Sequence, residues 1–224
     1  MPIQILIGTE SPLIEKEISR IKESVLQGGL SDFNFDSFSI REHAVETILA
    51  AANLFPMMGE KRLVLVRDIS EIKAKDMEAW SAYFSNPSPT TCLLMVGEKI
   101  DKRLKAWQVA NKAGFIRELK APTGVQLTSW LVKEAQERNL SLSAQAAHLM
   151  TETLGDSLGS LLQALEKIAL LITPRKEISL EDIRSVVGRF LSEDVFHCFT
   201  DTPGKMVRQK TSQLVRHSLI QYRI

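Results

Sequence analysis

The sequence predicts an α/β protein: a parallel sheet with helices on both faces, followed by a smaller, all-helical domain. Three observations predict it. From Ile3 to Leu119, short strand-like runs alternate with amphipathic helical stretches, the pattern of a βαβ series. The clearest of those runs, Leu63 to Val66 and Cys92 to Val96, are apolar throughout, as strands buried on both faces are. After Ala121-Pro122 no convincing strand follows, and only helical periodicity continues.

The elements follow in order. Ile3 to Ile7 is β-branched and apolar, a buried strand. Ser11 is a good N-cap with Pro12 at the first helical position. Leu13, Ile14, Ile18, Ile21 and Val25 then recur at helical spacing until Gly28-Gly29. Asp32 to Ser39 reads as a strand, with Phe33, Phe35 and Ser37 on one face. Arg41 to Asn53 is a helix with Val45, Ile48, Leu49 and Ala52 as its stripe. The buried strand Leu63 to Val66 precedes a helix from Ile69 to Phe84, which ends at the breaker Asn86-Pro87-Ser88-Pro89. The strand Cys92 to Val96, a helix Lys102 to Lys112 and a strand Phe115 to Leu119 complete the first domain, residues 1–121.

The second domain, residues 122–190, holds four helices. Val125 to Arg138 is amphipathic. Ser143 caps a helix that runs to Leu154 and stops at Gly155. Ser157 to Leu171 ends before Pro174. Ser179 opens the fourth, with Asp182 at the capping-box position. Residues 191–224 differ again: from Pro203 to Ile224 there are five Lys/Arg and no acid, either a solvated end or a nucleic-acid contact.

Composition narrows the function classes. The 224 residues are 44% hydrophobic and 25% charged, with a formal net charge of +1. Such a chain can bury a full core, and no global field argues for nucleic acid or membrane. No apolar run approaches a membrane span, and the N-terminus does not read as a signal peptide. Cys92 and Cys198 are far apart and read as buried thiols, which fits a cytoplasmic protein. His43, His148, His197 and His217 are scattered without ligand spacing, so no metal site is expected. His148 reads as a helix-face histidine, and Glu98 and Asp101 as loop residues rather than an acid/base pair.

The strand, loop and helix of "ILIGTESPLIEKEISRI" (Ile5 to Ile21) set up a phosphate-binding corner without its chemistry. A working loop reads G-x-x-x-x-G-K-[ST], with the Lys on phosphate and the hydroxyl on Mg²⁺. Here Leu13, Ile14 and Glu15 stand in the last three places. Glu10 and Glu15 would repel a triphosphate, and Pro12 removes an N–H donor. The strand Leu63 to Val66 is followed by Arg67, and an acid, Asp68, comes only afterwards. No catalytic residue and no cofactor is expected, which favours an interaction role.

The stretch "AANLFPMMGEKRLVLVRD" (Ala51 to Asp68) carries the sharpest interaction signal. Leu54 and Phe55 sit at a helix end, Pro56 stops the helix, and Met57 and Met58 precede Gly59. Two readings stand side by side. Leu54 and Phe55 fold back onto the sheet, as apolar residues after a helix end often do, or they anchor a partner, since aromatic and Met side chains are enriched at interface cores.

With "FNFDSFS", "LFPMMGEKRLVLVRD", "NPSPTTCLLMV", "EKIDKRLKAW", "LEKIALL" and "ISLEDIRSVV" in order, the chain resembles the delta subunit family of the bacterial DNA polymerase III clamp loader, over residues 1 to about 200. The resemblance implies an AAA+-type α/β domain, a small helical lid-like domain and a helical collar. It implies a subunit that does not hydrolyse ATP, belongs to the DNA-directed DNA polymerase III holoenzyme, and opens the beta sliding clamp for loading on primed DNA. In the family a Leu-Phe pair at a helix end enters an apolar clamp pocket; the matching residues are Leu54 and Phe55, with Pro56, Met57 and Met58 beside them. Motor and delta-prime subunits are the further partners, and DNA is met weakly or through the complex. Residues 190–201 resemble the start of the collar and the remainder does not, so a divergent or truncated third region is expected and stable loader assembly is in doubt. The competing readings are a nucleoside triphosphatase and a DNA-binding module using Lys99, Lys102, Arg103, Lys105 and the basic tail.

Overall fold

Five strands lie side by side in one parallel sheet in a computed structural model that describes residues 1–26 and 31–186. The strands are β1 (Ile3–Ile7), β2 (Phe35–Ser39), β3 (Arg62–Arg67), β4 (Thr91–Gly97) and β5 (Ile116–Glu118). Their order is β2-β3-β4-β1-β5, so the chain crosses the sheet before filling its centre. The register places Ile5 beside Met95 and Ile116, and Leu65 beside Leu94.

The pleat sends alternate residues to opposite faces. Val64, Val66, Leu93 and Met95 join Ile3 and Ile5 in one layer, covered by α2 (Val45–Ala52), α3 (Met77–Ser85) and α4 (Lys105–Lys112). Trp80, Phe84 and Trp107 fill that layer with mutually tilted rings whose successive centroids are 5.9 Å apart. Leu63, Leu65, Cys92, Leu94 and Val96 join Leu6 in the other layer. There Ile14, Ile18 and Ile21 of α1 (Ser11–Val25) close over them.

Several element starts differ from those the sequence suggests. Helix α1 is capped at Glu10, one residue earlier than Ser11, with no side-chain bond. Residues Ser31–Asn34 form a 3-10 turn, and β2 begins only at Phe35. Phe33 is 57% exposed while Asn34 is buried, the reverse of the expected alternation. Helix α2 starts at Val45, because Glu42 and His43 both donate their N–H to the Ser39 carbonyl in a turn and Ala44 is extended. The stretch Ile69 to Phe84 is two 3-10 turns, Ile69–Glu71 and Ala74–Asp76, ahead of α3, because Ile72 and Lys73 are extended. Helix α4 starts at Lys105 rather than Lys102, and β5 is shorter than Phe115 to Leu119.

The chain divides into two compact units, Met1–Leu127 and one from Thr128 onward, the division falling inside α5 (Val125–Glu137). In the second unit, α6 (Ala144–Leu154) is capped by Ser143, whose Oγ accepts the Ala146 N–H at 3.1 Å. Gly155, at φ 76°, ends it. Helix α7 (Leu158–Ile172) is capped by Ser157. The last helix among the described residues covers 180–186. Its capping box is complete: Ser179 donates to Asp182 through N–H and Oγ, and the Asp182 N–H donates to Ser179 Oγ. One isolated bridge, Ser141 to Glu177, ties the segment after α5 to the segment before that helix. Residues 187–190 of the expected helical domain, the expected third region 191–224 with its basic tail, and Cys198, His197 and His217 lie outside the described residues.

Candidate functional site: an apolar display loop and a closed phosphate corner

Helix α2 ends where its last carbonyls are met locally. The Asn53 N–H donates to Leu49 and Ala50 carbonyls at 3.1 Å, and Asn53 Nδ2 donates to the Leu49 carbonyl at 2.9 Å. The Tyr83 hydroxyl donates to the Ala52 carbonyl at 3.3 Å, tying the helix end to α3. The chain then leaves the sheet layer. Leu54 is 54%, Phe55 81%, Met57 55% and Met58 84% exposed, and Pro56 between them is half-buried. Four large apolar side chains thus stand in solvent within five residues, an arrangement that marks interaction sites. Leu54 and Phe55 do not fold back onto the sheet.

The loop is held from beneath. The Asn34 side chain accepts the Met57 N–H at Oδ1, 2.7 Å, and donates from Nδ2 to the Met57 carbonyl, 2.9 Å. Met58 turns the chain in the left-handed region, φ 52°. Arg62, nine-tenths buried, donates to the Asp36 carboxylate and to the Phe33 carbonyl, fixing the 3-10 turn that carries Asn34. Asn34 was not among the residues the sequence singled out.

The phosphate corner is closed by its own side chains. Ile14, at the place of a phosphate-binding lysine, is buried on the face of α1 packed against the sheet. Pro12 has no N–H, and the Leu13 and Ile14 amides both donate to the Glu10 carbonyl. A Cβ on Gly8 would stand 2.7 Å from the Leu119 carbonyl oxygen, so the chain leaving β5 runs hard against the corner. Glu15 is not free to repel an anion: Arg67 donates to both its oxygens, at 2.5 and 3.0 Å. That bond holds the Glu15 carboxyl below its ordinary range and pushes the Arg67 guanidinium up. Asp68, in the left-handed region at φ 59°, accepts instead from Ser39 Oγ, 2.6 Å, toward β2. This donor set does not fit a Mg²⁺-triphosphate.

The remaining candidates disperse. Of the basic run, Lys102 donates to Glu118 at 2.6 Å and Arg103 to Asp101, so neither is a free cation. The Arg103 hydrogen bond brings the Asp101 carboxyl down to about 2. His148 is exposed on α6, 3.3 Å from Glu152, and His43 packs edge-on against Phe38. Cys92 is buried, and burial raises its thiol pKa. Among the described residues no three His, Cys, Asp or Glu gather as a metal site, and no helix is long and apolar enough to cross a membrane.

Comparison with known proteins decides which family carries this loop. The model of the family "DNA polymerase III, delta subunit" matches residues 5–119, more than half of the chain, including the whole display loop and the corner. The chain belongs to the DNA polymerase III delta subunit family. A curated member, DNA polymerase III subunit delta of Bacillus subtilis (strain 168), is 29% identical over 222 residues. That match covers 95% of this chain and 63% of the relative, so the chain spans less than two thirds of that relative's length. The solved Bacillus subtilis DNA clamp loader delta protein superposes with a TM-score of 0.68 at 28% identity, over 100% of this chain and 69% of that one. The RuvB Holliday junction branch migration motor of Thermotoga maritima shares the fold alone, at 12% identity and a TM-score of 0.53 over 83% of this chain and 61% of that one. The AAA+-like architecture of this delta-family chain thus carries a phosphate corner in shape and not in chemistry.

Proposed function

We propose that the chain is a clamp-loader subunit that binds the beta sliding clamp and favours its open ring. Leu54 and Phe55 enter an apolar pocket of the clamp, with Pro56, Met57 and Met58 against its rim. The observation that supports this most is the exposure of four large apolar side chains on a loop whose backbone is hydrogen-bonded into the fold. Exposed apolar surface of this kind is stabilised when a partner removes it from water. A subunit that binds the open ring better than the closed one shifts the ring's population without any chemistry of its own. ATP is bound and hydrolysed by the motor subunits, and DNA is met through the assembled loader. In this reading residues 1–121 bind the clamp, 122–190 form the lid-like domain, and 191–224 are the start of a divergent or truncated collar region.

The test is co-elution of the purified chain with its cognate sliding clamp in size-exclusion chromatography. A complex that survives the column and is lost when Leu54 and Phe55 are both changed to Ala is the expected result. Migration of chain and clamp as separate species would end the proposal.

A further inference from the structure

We propose that Asn34 is the positioning residue of the display loop, holding Leu54 and Phe55 in the geometry that docks. The inference rests on the reading of Leu54 to Met58 as the docking segment and adds a residue outside it.

The loop is strung between two fixed points. One is Asn53, bonded to the last turn of α2. The other is Met57, whose N–H and carbonyl are both taken by the one carboxamide of Asn34. A carboxamide that meets both polar groups of one residue does what a neighbouring strand would do, and among the described residues no strand pairs with Met57. Only Leu54, Phe55 and Pro56 lie between the two points, and Pro56 has its φ fixed by its ring. The residues from Leu54 to Lys61 carry no hydroxyl or side-chain amide to bond their own backbone, so the anchor comes from another element. Asn34 is itself buried, 4% exposed, and the packing leaves it little freedom: a Cβ on Gly59 would approach its Nδ2 to 3.0 Å. Without the carboxamide the segment from Leu54 to the start of β3 samples many conformations, and affinity falls by the fraction of time the loop spends in the docking one.

The experiment compares Asn34→Leu, Asn34→Asp and the pair Leu54→Ala with Phe55→Ala, singly and combined, for affinity to the cognate sliding clamp and for exchange protection of the Met57 amide. Leu keeps the branched shape in a larger side chain and removes both bonds; Asp keeps the acceptor and sets a carboxylate against the Met57 carbonyl. The expected result is a loss of at least about 10-fold in affinity for N34L, with a smaller loss for N34D. Met57 protection falls in N34L. In the Leu54/Phe55 double-Ala background, N34L should change affinity by less than about 2-fold, because a loop without its anchors has nothing left to position. N34L binding within about 2-fold of the unchanged chain while Met57 is deprotected would overturn the inference and leave the docking reading intact. So would an undiminished N34L effect in the double-Ala background, which marks a general structural defect. If N34L does not fold, N34D carries the same comparison. If the double-Ala change itself leaves clamp affinity unchanged, the docking reading fails, and this inference with it.

Discussion

Arg67 at the end of β3 reaches Glu15 on the first helix through both terminal nitrogens, at 2.5 and 3.0 Å. The two stand where a phosphate-binding fold would gather its magnesium ligands. Glu15 takes the place of the Mg²⁺-binding hydroxyl, and Arg67 ends the strand that would present the acid. The pair neutralises itself, so these two positions offer neither a lysine for phosphate nor an open carboxylate for a cation.

The first prediction is therefore a missing shift. Mg-ATP at 100-fold its dissociation constant would stabilise a binding protein by about 2.7 kcal/mol. Thermal unfolding of this chain should not move on adding Mg-ATP, and a clear rise would contradict the closed corner. The change Glu15→Gln should cost less than about 1 kcal/mol, because both partners are more than a third exposed and such pairs contribute little.

The second concerns the exposed loop. If Leu54 and Phe55 are clamp anchors, each is worth roughly 2 kcal/mol or more on truncation. Replacing both with Ala should weaken clamp binding at least ~30-fold. The same variant should melt close to the unchanged chain, since both side chains stand in solvent and surface truncations are usually within about 0.5 kcal/mol. Calorimetry and clamp titration on one preparation check the two halves together. A large melting loss with intact affinity would show the reverse arrangement.

A third prediction uses a buried defect. Thr91 is 1% exposed, and among the described residues its hydroxyl has no hydrogen-bond partner. Thr91→Val keeps the branched shape in a strand and removes the orphan. It should stabilise the chain by about 1 kcal/mol, seen as a rise of about 2–4 °C in melting temperature. A fall would mean that the hydroxyl is satisfied in solution.

The fourth is a pH dependence with a fixed sign. The Ser179 hydrogen bond, with Arg175 beside it, holds the Asp182 carboxyl below its ordinary value. The unfolded chain then binds more protons than the folded one as pH falls below about 3.9. The contribution of Asp182 is present above that value and lost as pH drops through the folded pKa. The melting difference between the unchanged chain and Asp182→Ala should be largest near neutrality and close in acid. A gap independent of pH would remove the carboxylate from the explanation.

The five strands and the helix stripes were legible because burial on both faces leaves apolar runs such as Leu63 to Val66 that polar spacing cannot imitate. The exposed loop was half legible: Leu54 to Met58 stand out as apolar residues at a helix end, but periodicity does not decide between folding back and protruding. Asn34 was hidden by the same rule that exposed the strands, because an Asn between two Phe residues reads as the outer face of a strand. Its partner is the backbone of Met57, 23 residues away, and a backbone's needs are not written in its side chain. A signal was present in the loop itself, which has no short polar side chain to serve its own N–H and carbonyl groups. Arg67 was noted as a departure from the expected acid, but its pairing across 52 residues follows only from the strand order.

Three helices lie on one face of the sheet, and among the described residues α1 is the helix packed on the other. The consequence is kinetic. Among the described residues, undocking this one helix would bare Leu63, Leu65, Cys92 and Leu94 without parting a single pair of strands, so the two faces have unequal routes to solvent. Openings of this sub-global kind cost less than complete unfolding. Cys92 sits in that layer with its thiol pKa raised by burial, and only the thiolate reacts. In a chain carrying Cys198→Ser, the alkylation rate of Cys92 is then a stopwatch for the α1 door, and it should run ahead of amide exchange in β3 and β4.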